Sequence, residues 1–132
     1  MIYLVTKQTN LQDDSYEIIS VEESLKILES LTIVGLDTET TGLNCHKDKL
    51  LSVQLGCKKF QVVIDCTTID IQEYKSYLES DRVFILWNAK FDLKWLYRYH
   101  IVPKNVYDGF LAEKIMWLGY PIVLTVDMWN NI

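Results

Sequence analysis

The order of strand-like and helix-like segments constrains the fold of this chain more than any other feature of its sequence. Ser20 and Glu23 have the spacing of a capping box and precede apolar residues at helical spacing, so a first helix is expected there. After that helix the pattern predicts three strands in succession and then alternating helix, strand, helix, strand and helix. Such an order is typical of an α/β domain with a mixed sheet flanked by helices.

The individual segments can be placed by their periodicity and by the turn residues between them. Strands are predicted at residues 2–5, 16–19, 32–37, 49–56, 58–65, 82–87 and 105–107. Helices are predicted after Ser20 and at residues 67–80, 88–100 and 109–118, the last of them capped by Asp108 and stopped by Gly119 and Pro121. The predicted buried residues of the sheet are Leu36, Val53, Val63 and Ile85.

Length and composition indicate one soluble globular domain covering residues 1–132. The chain is 49% hydrophobic and 12% aromatic, which excludes a disordered protein. No apolar run approaches the ~20 residues that cross a bilayer, and the N-terminus lacks the pattern of a signal peptide. Three cysteines without a CxxC spacing suit reduced, structural thiols, so a cytoplasmic protein with no membrane partner is expected.

The net charge of −5 excludes a general polyanion binder. Such a protein needs a basic stripe to displace counterions from phosphates. Any nucleic acid must therefore be held by something other than bulk charge.

Two acids lie at the end of a predicted buried strand in the segment "VGLDTETTGL", residues 34–43. Side chains alternate along a strand, so Asp37 and Glu39 should project from the same face near its carboxyl end. Two carboxylates this close repel each other unless a cation lies between them, and Mg²⁺ or Mn²⁺ prefers oxygen ligands. The alternative is that both acids are solvated loop residues, which is the more common reason for an isolated DxE.

A second polar group occurs in "NAKFD", residues 88–92. Asn88 and Asp92 are four residues apart at the start of a predicted helix, so they share a face. Asp92 lies among large apolar residues, which favours a specific role over simple solvation. Asn88 has two compatible interpretations, as the N-cap of the helix or as a ligand contact.

Together these segments resemble a known family. "LDTETTGL" is similar to the first motif, and "NAKFD" to the second motif, of the DEDD 3'-5' exonucleases, in the branch that contains the proofreading domain of bacterial DNA polymerase I and ribonuclease D. The resemblance covers roughly residues 16–121 and leaves residues 122–132 as an unassigned tail. It implies a ribonuclease H-like fold and a metal-dependent exonuclease that hydrolyses terminal phosphodiesters of single-stranded nucleic acid, with DNA favoured.

The resemblance also implies roles for individual residues. Asp37, Glu39 and Asp92 would be the catalytic residues and would hold two divalent metal ions, Mg²⁺ or Mn²⁺. The positions that would contact the terminal nucleotide are Thr40, Leu43, Asn88 and Phe91. The implied partners are single-stranded DNA or RNA 3' ends.

The sequence departs from the family pattern at the fourth carboxylate. That group is expected in a Tyr-x-x-x-Asp motif, and no such motif follows residue 92. Asp108 is adjacent to Tyr107 and is best explained as a helix cap. The domain therefore looks cut short, and three hypotheses stay open: an exonuclease completed by a C-terminal fragment or another chain, a catalytically impaired nucleic-acid-binding or polymerase-associated module, and a nuclease of different specificity.

Overall fold

A seven-stranded mixed sheet forms the centre of the structure, a computed structural model that describes residues 1–11 and 13–119. Within those residues the strands are β1 (Ile2–Val5), β2 (Glu17–Ile18), β3 (Ile33–Thr40), β4 (Leu50–Gly56), β5 (Gln61–Asp65), β6 (Val83–Leu86) and β7 (Asn105–Asp108). The helices are α1 (Val21–Glu29), α2 (Lys75–Leu78), α3 (Ala89–Arg98) and α4 (Gly109–Gly119). The predicted tail and the Pro121 stop lie outside the described residues.

The sheet has the strand order β2-β1-β5-β4-β3-β6-β7. Strands β3, β4 and β5 form the predicted antiparallel meander, and β6 and β7 then join in parallel beside β3. The predicted mixed α/β architecture is confirmed. Because β6 lies next to β3, the helix that follows β6 starts beside the strand that carries Asp37 and Glu39.

Local hydrogen bonds explain where two predicted segments begin. Ser20 and Glu23 form both bonds of the predicted capping box at the start of α1. The helix predicted over residues 67–80 is shorter, because the backbone N–H and hydroxyl of Thr67 both donate to the Asp65 carboxylate and hold that stretch as a turn. A 3₁₀ turn capped by Asp70 follows, and only Lys75–Leu78 is α-helical.

The core lies on one face of the central strands. Buried strand residues alternate along the sequence with exposed ones, and they join helix residues in a single apolar cluster. The largest fully buried members are Trp95, Tyr74, Phe84, Leu28, Leu55 and Ile64.

The prediction of burial is wrong for two of the four residues assigned to the core of the sheet. Leu36 and Val53 are buried, but Ile85 is 41% exposed and Val63 is only half-buried. Ile85 alternates with the buried residues Phe84 and Leu86, so it points to the opposite face of the sheet. That face borders an open groove among the described residues.

Removing the Leu36 side chain is expected to destabilise the fold strongly. Leu36→Ala leaves a cavity in the packed face and should cost about 2 to 5 kcal/mol. The matched control is Ile85→Ala, which removes an apolar side chain from the exposed face and should cost below about 1 kcal/mol. Urea denaturation of both variants measures the difference, and equal losses would contradict the assignment of the two faces.

Among the residues that the structure describes, no helix combines the length and the apolarity needed to span a membrane.

Candidate active site

Both acids of the first motif lie within β3, which includes Glu39 as well as Asp37. The strand continues to Thr40, beyond the predicted end at residue 37, because it stays paired with β4 as far as Leu50. Asp37 and Glu39 are exposed on one face, while the residues between and before them are buried on the other. A register shift between Glu39 and Thr40 interrupts the pairing just after the acids.

Both acids line one open groove of about 930 Å³. The residues of β4 that pair with these acids are Gln54, opposite Asp37, and Ser52, opposite Glu39. Directly opposed residues of an antiparallel pair share a face, so this part of the groove is polar. The Gln54 Nε2 donates to the Ser52 hydroxyl at 2.6 Å, and Gln54 Oε1 is buried without a hydrogen-bond partner within residues 1–11 and 13–119.

Thr38, between the two acids, is a site residue that the sequence reasoning missed. It is buried, and its hydroxyl donates to Oδ1 of Asp92 at 2.5 Å. Strand alternation alone places Thr38 on the core side, where a hydroxyl needs a partner. That signal could have linked the first motif to the second.

Asp92 is almost completely buried at 3% exposure. Burial raises the pKa of its carboxyl above the usual range, the Thr38 hydroxyl opposes the shift, and the nearby charge of Asp37 adds to it. A carboxylate that is buried beside another carboxylate is costly unless a cation compensates it. Because the charge of Asp37 contributes to the raised pKa of Asp92, the two carboxylates lie close enough to interact electrostatically.

The raised pKa of Asp92 gives a testable dependence of stability on pH. The folded protein holds this proton more tightly than the unfolded chain, so stability increases as the pH falls through the raised pKa toward 3.8. At neutral pH without divalent metal, the ionised carboxylate costs stability. Asp92→Asn should therefore raise the melting temperature at pH 7 in EDTA, and its advantage should shrink toward pH 4.

Asp14→Asn, at an exposed acid remote from the two motifs, is the control for that comparison and should not change the melting temperature. A lower melting temperature for Asp92→Asn at pH 7 would show that the Asp92 charge is already compensated in the metal-free protein.

Asn88 precedes α3 in the left-handed backbone conformation, with φ of 59°, which asparagine tolerates. Asn88 occupies the predicted N-cap position of α3, but its side chain makes no capping hydrogen bond. The Asp108 carboxylate instead accepts from the backbone N–H groups of Asn88 and Ala89, both at 3.0 Å. Asp108 reaches them because it pairs with Leu86 across β6 and β7.

The Asp108 carboxylate also caps the next helix, α4. Asp108 accepts from the N–H groups of Phe110 at 3.0 Å and Leu111 at 3.3 Å, which confirms its predicted role as the cap of α4. One side chain thus fixes the start of two helices. Its contribution to α3, which positions the second motif, was not predicted.

Loss of the Asp108 carboxylate should destabilise both helix ends at once. Each lost cap costs about 0.5 to 2 kcal/mol, so Asp108→Ala should cost about 1 to 4 kcal/mol. Asp70→Ala removes a cap from one element and provides the comparison. Urea denaturation that gave the smaller loss for Asp108→Ala would contradict the shared capping role.

The predicted substrate contacts lie on the elements next to the acids. The Thr40 hydroxyl donates to the carbonyl of Gly42 at 2.7 Å and starts a loop on which Leu43 is 81% exposed. The Arg98 guanidinium fixes that loop by donating to the carbonyls of Cys45 and Asp48. Phe91, by contrast, packs partly into the core, with its ring centroid 6.3 Å from that of Trp95.

The donor set fits a hard, hydrated cation. Asp37 and Glu39 offer carboxylate oxygens, and Mg²⁺ in proteins is commonly held by one or two carboxylates together with waters and substrate phosphate. The unpartnered Gln54 Oε1 could accept from a water of such an ion. No group of three or more His, Cys, Asp or Glu side chains within the described residues lies close enough to hold a metal, so the predicted set of Asp37, Glu39 and Asp92 stays a prediction.

Comparisons with known proteins show the family of the chain. A family model described as 3'-5' exonuclease matches residues 15–121. DNA polymerase I of Aquifex aeolicus is 38% identical over 100 residues, which are 76% of this chain and 16% of the polymerase. The chain therefore belongs to the 3'-5' exonuclease family.

Solved structures show the same fold. NrnC of Brucella melitensis with bound Mg²⁺ is 24% identical with a TM-score of 0.62, and the match covers 92% of this chain and 56% of NrnC. RNase D of Trypanosoma brucei in complex with RNA U12 is 16% identical with a TM-score of 0.63, over 81% of this chain and 37% of that one. The chain thus spans little more than half the length of NrnC and a smaller part of the others.

Proposed function

We propose that this chain is a metal-dependent 3'-5' exonuclease domain that removes terminal nucleotides from single-stranded nucleic acid. The observation that carries the proposal is the placement of Asp37 and Glu39 on one face of β3, with Asp92 buried nearby and hydrogen-bonded to Thr38 between them. All three acids lie in the region that matches the exonuclease family.

Asp37, Glu39 and Asp92 would hold two divalent ions, Mg²⁺ or Mn²⁺, which when bound lower the pKa of water and stabilise the departing 3' oxygen. The chain itself supplies the positioning. Thr38 fixes the orientation of the Asp92 carboxylate, and the β3–β4 pairing fixes the two groove acids. Rigid strands suit this task because small displacements of reacting groups are costly.

The terminal nucleotide would be held beside these acids by Thr40, Leu43, Asn88 and Phe91. The Asn88 side chain caps no helix, so its amide is compatible with a substrate contact. Leu43 offers an exposed apolar surface that an unpaired base could cover. Phe91 contributes to the wall from its half-buried position.

DNA is the favoured substrate, because the 38% identical relative is a DNA polymerase. RNA 3' ends are the alternative, since a protein of the same fold is known in complex with RNA. Mg²⁺ as the cofactor is supported by the NrnC structure with that ion. Two metal charges would also let an acidic protein bind phosphate without a basic surface.

We also infer that the protein acts in the cytoplasm. All three cysteines are free thiols, which suits a reducing compartment. Burial raises the pKa of Cys66 to about 12, so this thiol is a poor nucleophile at neutral pH.

A second candidate function is a catalytically impaired module that binds nucleic acid ends, or associates with a polymerase, without turnover. It is favoured by the sequence after residue 92, which has no Tyr-x-x-x-Asp, and by the absence of a three-ligand metal group in the described part of the chain.

Digestion of 5'-labelled single-stranded DNA with Mg²⁺ or Mn²⁺ tests the proposal. We expect slow, metal-dependent shortening from the 3' end that Asp37→Ala abolishes, and slower digestion of the RNA version. Binding of the labelled strand without any shortening would favour the impaired module. Digestion that persists in Asp37→Ala would reject the proposed site.

A further inference from the structure

One surface of this acidic protein is basic. It is formed by the loop of residues 41–49 and by the solvent side of helix α3, and it carries five of the 13 lysines and arginines of the chain. These exposed residues, here called the basic surface, are Lys47, Lys49, Lys90, Lys94 and Arg98. Since the whole chain has 18 acids and a net charge of −5, the sign of charge here is opposite to that of the protein as a whole.

The three cations of α3 form a single row. Lys90, Lys94 and Arg98 follow one another at intervals of four residues, and side chains with this spacing lie one above the other on a helix. The row is about 12 Å long, because a helix rises about 1.5 Å per residue. The other side of α3 packs into the core through Trp95, and the acid of the helix, Asp92, is buried too. The exposed side of α3 is therefore free of acids.

Arg98 joins the helix to the loop. Its Nη1 donates to two loop carbonyls at 2.8 and 2.7 Å, the second of them that of Asp48. The half-buried Asp48 carboxylate accepts from a backbone N–H inside the loop at 2.9 Å, and the Thr41 N–H closes the loop by donating to the carbonyl of Lys49 at 2.9 Å. Because Lys47 and Lys49 flank Asp48, these bonds fix both lysines next to the row on α3.

None of the five cations is paired with an acid within residues 1–11 and 13–119, where the one ion pair joins Lys75 and Glu79. Arg98 uses a single nitrogen for both loop carbonyls, so the N–H groups of its Nε and Nη2 remain for an anion. Like charges on one helix face repel each other. A row of bound phosphates would relieve that repulsion.

We propose that the basic surface binds the phosphates of a single strand that precede its 3'-terminal nucleotide. This inference rests on the proposed exonuclease function. Both parts of the surface begin at the candidate active site, since the loop follows Thr40 and α3 carries Asp92 in its first turn. A strand that has its 3' end beside Asp92 and follows α3 away from the site passes the row of cations.

The spacing of the charges suits a strand of nucleic acid. A stacked strand carries one phosphate about every 3.4 Å, so the row on α3 faces about four phosphates. Leu43, on the same loop as Lys47 and Lys49, offers the exposed apolar surface that an unpaired base can cover. The surface thus offers both the charge and the apolar contact by which single strands are bound without regard to sequence.

Fluorescence anisotropy of a labelled strand of ten thymidine nucleotides in EDTA tests the binding without digestion. The double variant Lys47→Gln/Lys94→Gln removes one cation from each part of the surface. At about 0.1 M salt it should bind about 25-fold more weakly than the wild type, about fivefold for each lost phosphate contact, and its dependence of log K on log salt should be less steep by about 1.4. In Mn²⁺ the variant should also lose the preference of the enzyme for the ten-nucleotide strand over a dinucleotide, which is too short to reach the row.

The matched control is Lys26→Gln/Lys59→Gln, which removes the same charge from two exposed lysines outside the basic surface. Lys59 lies in the turn after β4, about 20 Å from the end of that strand that the loop enters. The control should bind the ten-nucleotide strand like the wild type. An equal loss in the control would overturn the proposal, because net charge would then explain the effect.

Two further results would also overturn the proposal. The first is a ten-nucleotide strand that the wild type does not bind in EDTA, or that Lys47→Gln/Lys94→Gln binds as tightly as the wild type does. If digestion in Mn²⁺ still depends on Asp37 in that case, the proposed function stands, and if the wild type digests nothing, both fall. The second is displacement of the strand by a ten-residue polyglutamate peptide as effectively as by unlabelled strand, which would make an acidic protein the occupant.

Discussion

Adding a helical fragment that carries Tyr-x-x-x-Asp is expected to raise the rate of 3'-5' digestion by this chain at least about 100-fold, because misplacement of reacting groups by about 1 Å already costs that much. The 132 residues contain no such motif after Asp92. A fourth carboxylate would complete the ligands of the ion that activates water. Binding of the strand should change less than the rate, since Thr40, Leu43 and Asn88 are present in either case.

The control for this experiment is the same fragment with its motif Asp replaced by Ala. That fragment should bind equally well but leave the rate at the level of the chain alone. Rapid digestion by the unsupplemented chain, abolished by Asp37→Ala, would show that its own residues already complete the site.

Mn²⁺ should bind at least about tenfold more weakly to Asp37→Ala and to Asp92→Ala than to the wild-type chain, because each loss leaves too few hard ligands. The losses of Mn²⁺-binding free energy in the two single variants should not add up in the double variant, since both residues are expected to hold the same ions. Isothermal titration of the single variants and the double variant measures this coupling.

Asp81→Ala, at an acid outside the groove, is the matched control and should bind Mn²⁺ like the wild type. Unchanged affinity in both Asp37→Ala and Asp92→Ala would remove the metal-site interpretation.

The sequence predicted the class of fold because the relevant signals are local. The capping box at Ser20, the turn-separated strands of the meander and the alternation of later helices and strands depend on neighbouring residues, and all were confirmed. The length of β3 was underestimated because its extension to Thr40 depends on pairing with β4, which is not visible in the pattern of one segment.

The wrong placement of Ile85 has a different cause. An uninterrupted apolar strand predicts burial on both faces, but it does not tell which polypeptide supplies the second cover. Within the described residues the cover exists on one face only. The prediction for Ile85 failed because burial of the second face of β6 depends on neighbouring elements and not on the sequence of the strand itself.

The contacts within the candidate site were the hardest to predict. The bond from Thr38 to Asp92 spans 54 residues, and the bonds from Asp108 to the start of α3 span about 20. Such contacts follow from the parallel pairing of β3, β6 and β7, which is decided by the whole sheet. Motif spacing therefore identified candidate acids, but not the residues that hold them in place.

Anomalous diffraction from crystals of this chain grown with Mn²⁺ tests the central claim most directly. We expect a manganese peak at about 2.0 to 2.3 Å from carboxylate oxygens of Asp37 and Glu39, with Asp92 bound to the same ion or to a second one. The absence of a manganese peak beside Asp37 and Glu39, or a peak only elsewhere in the protein, would contradict the assignment of a metal-dependent exonuclease site.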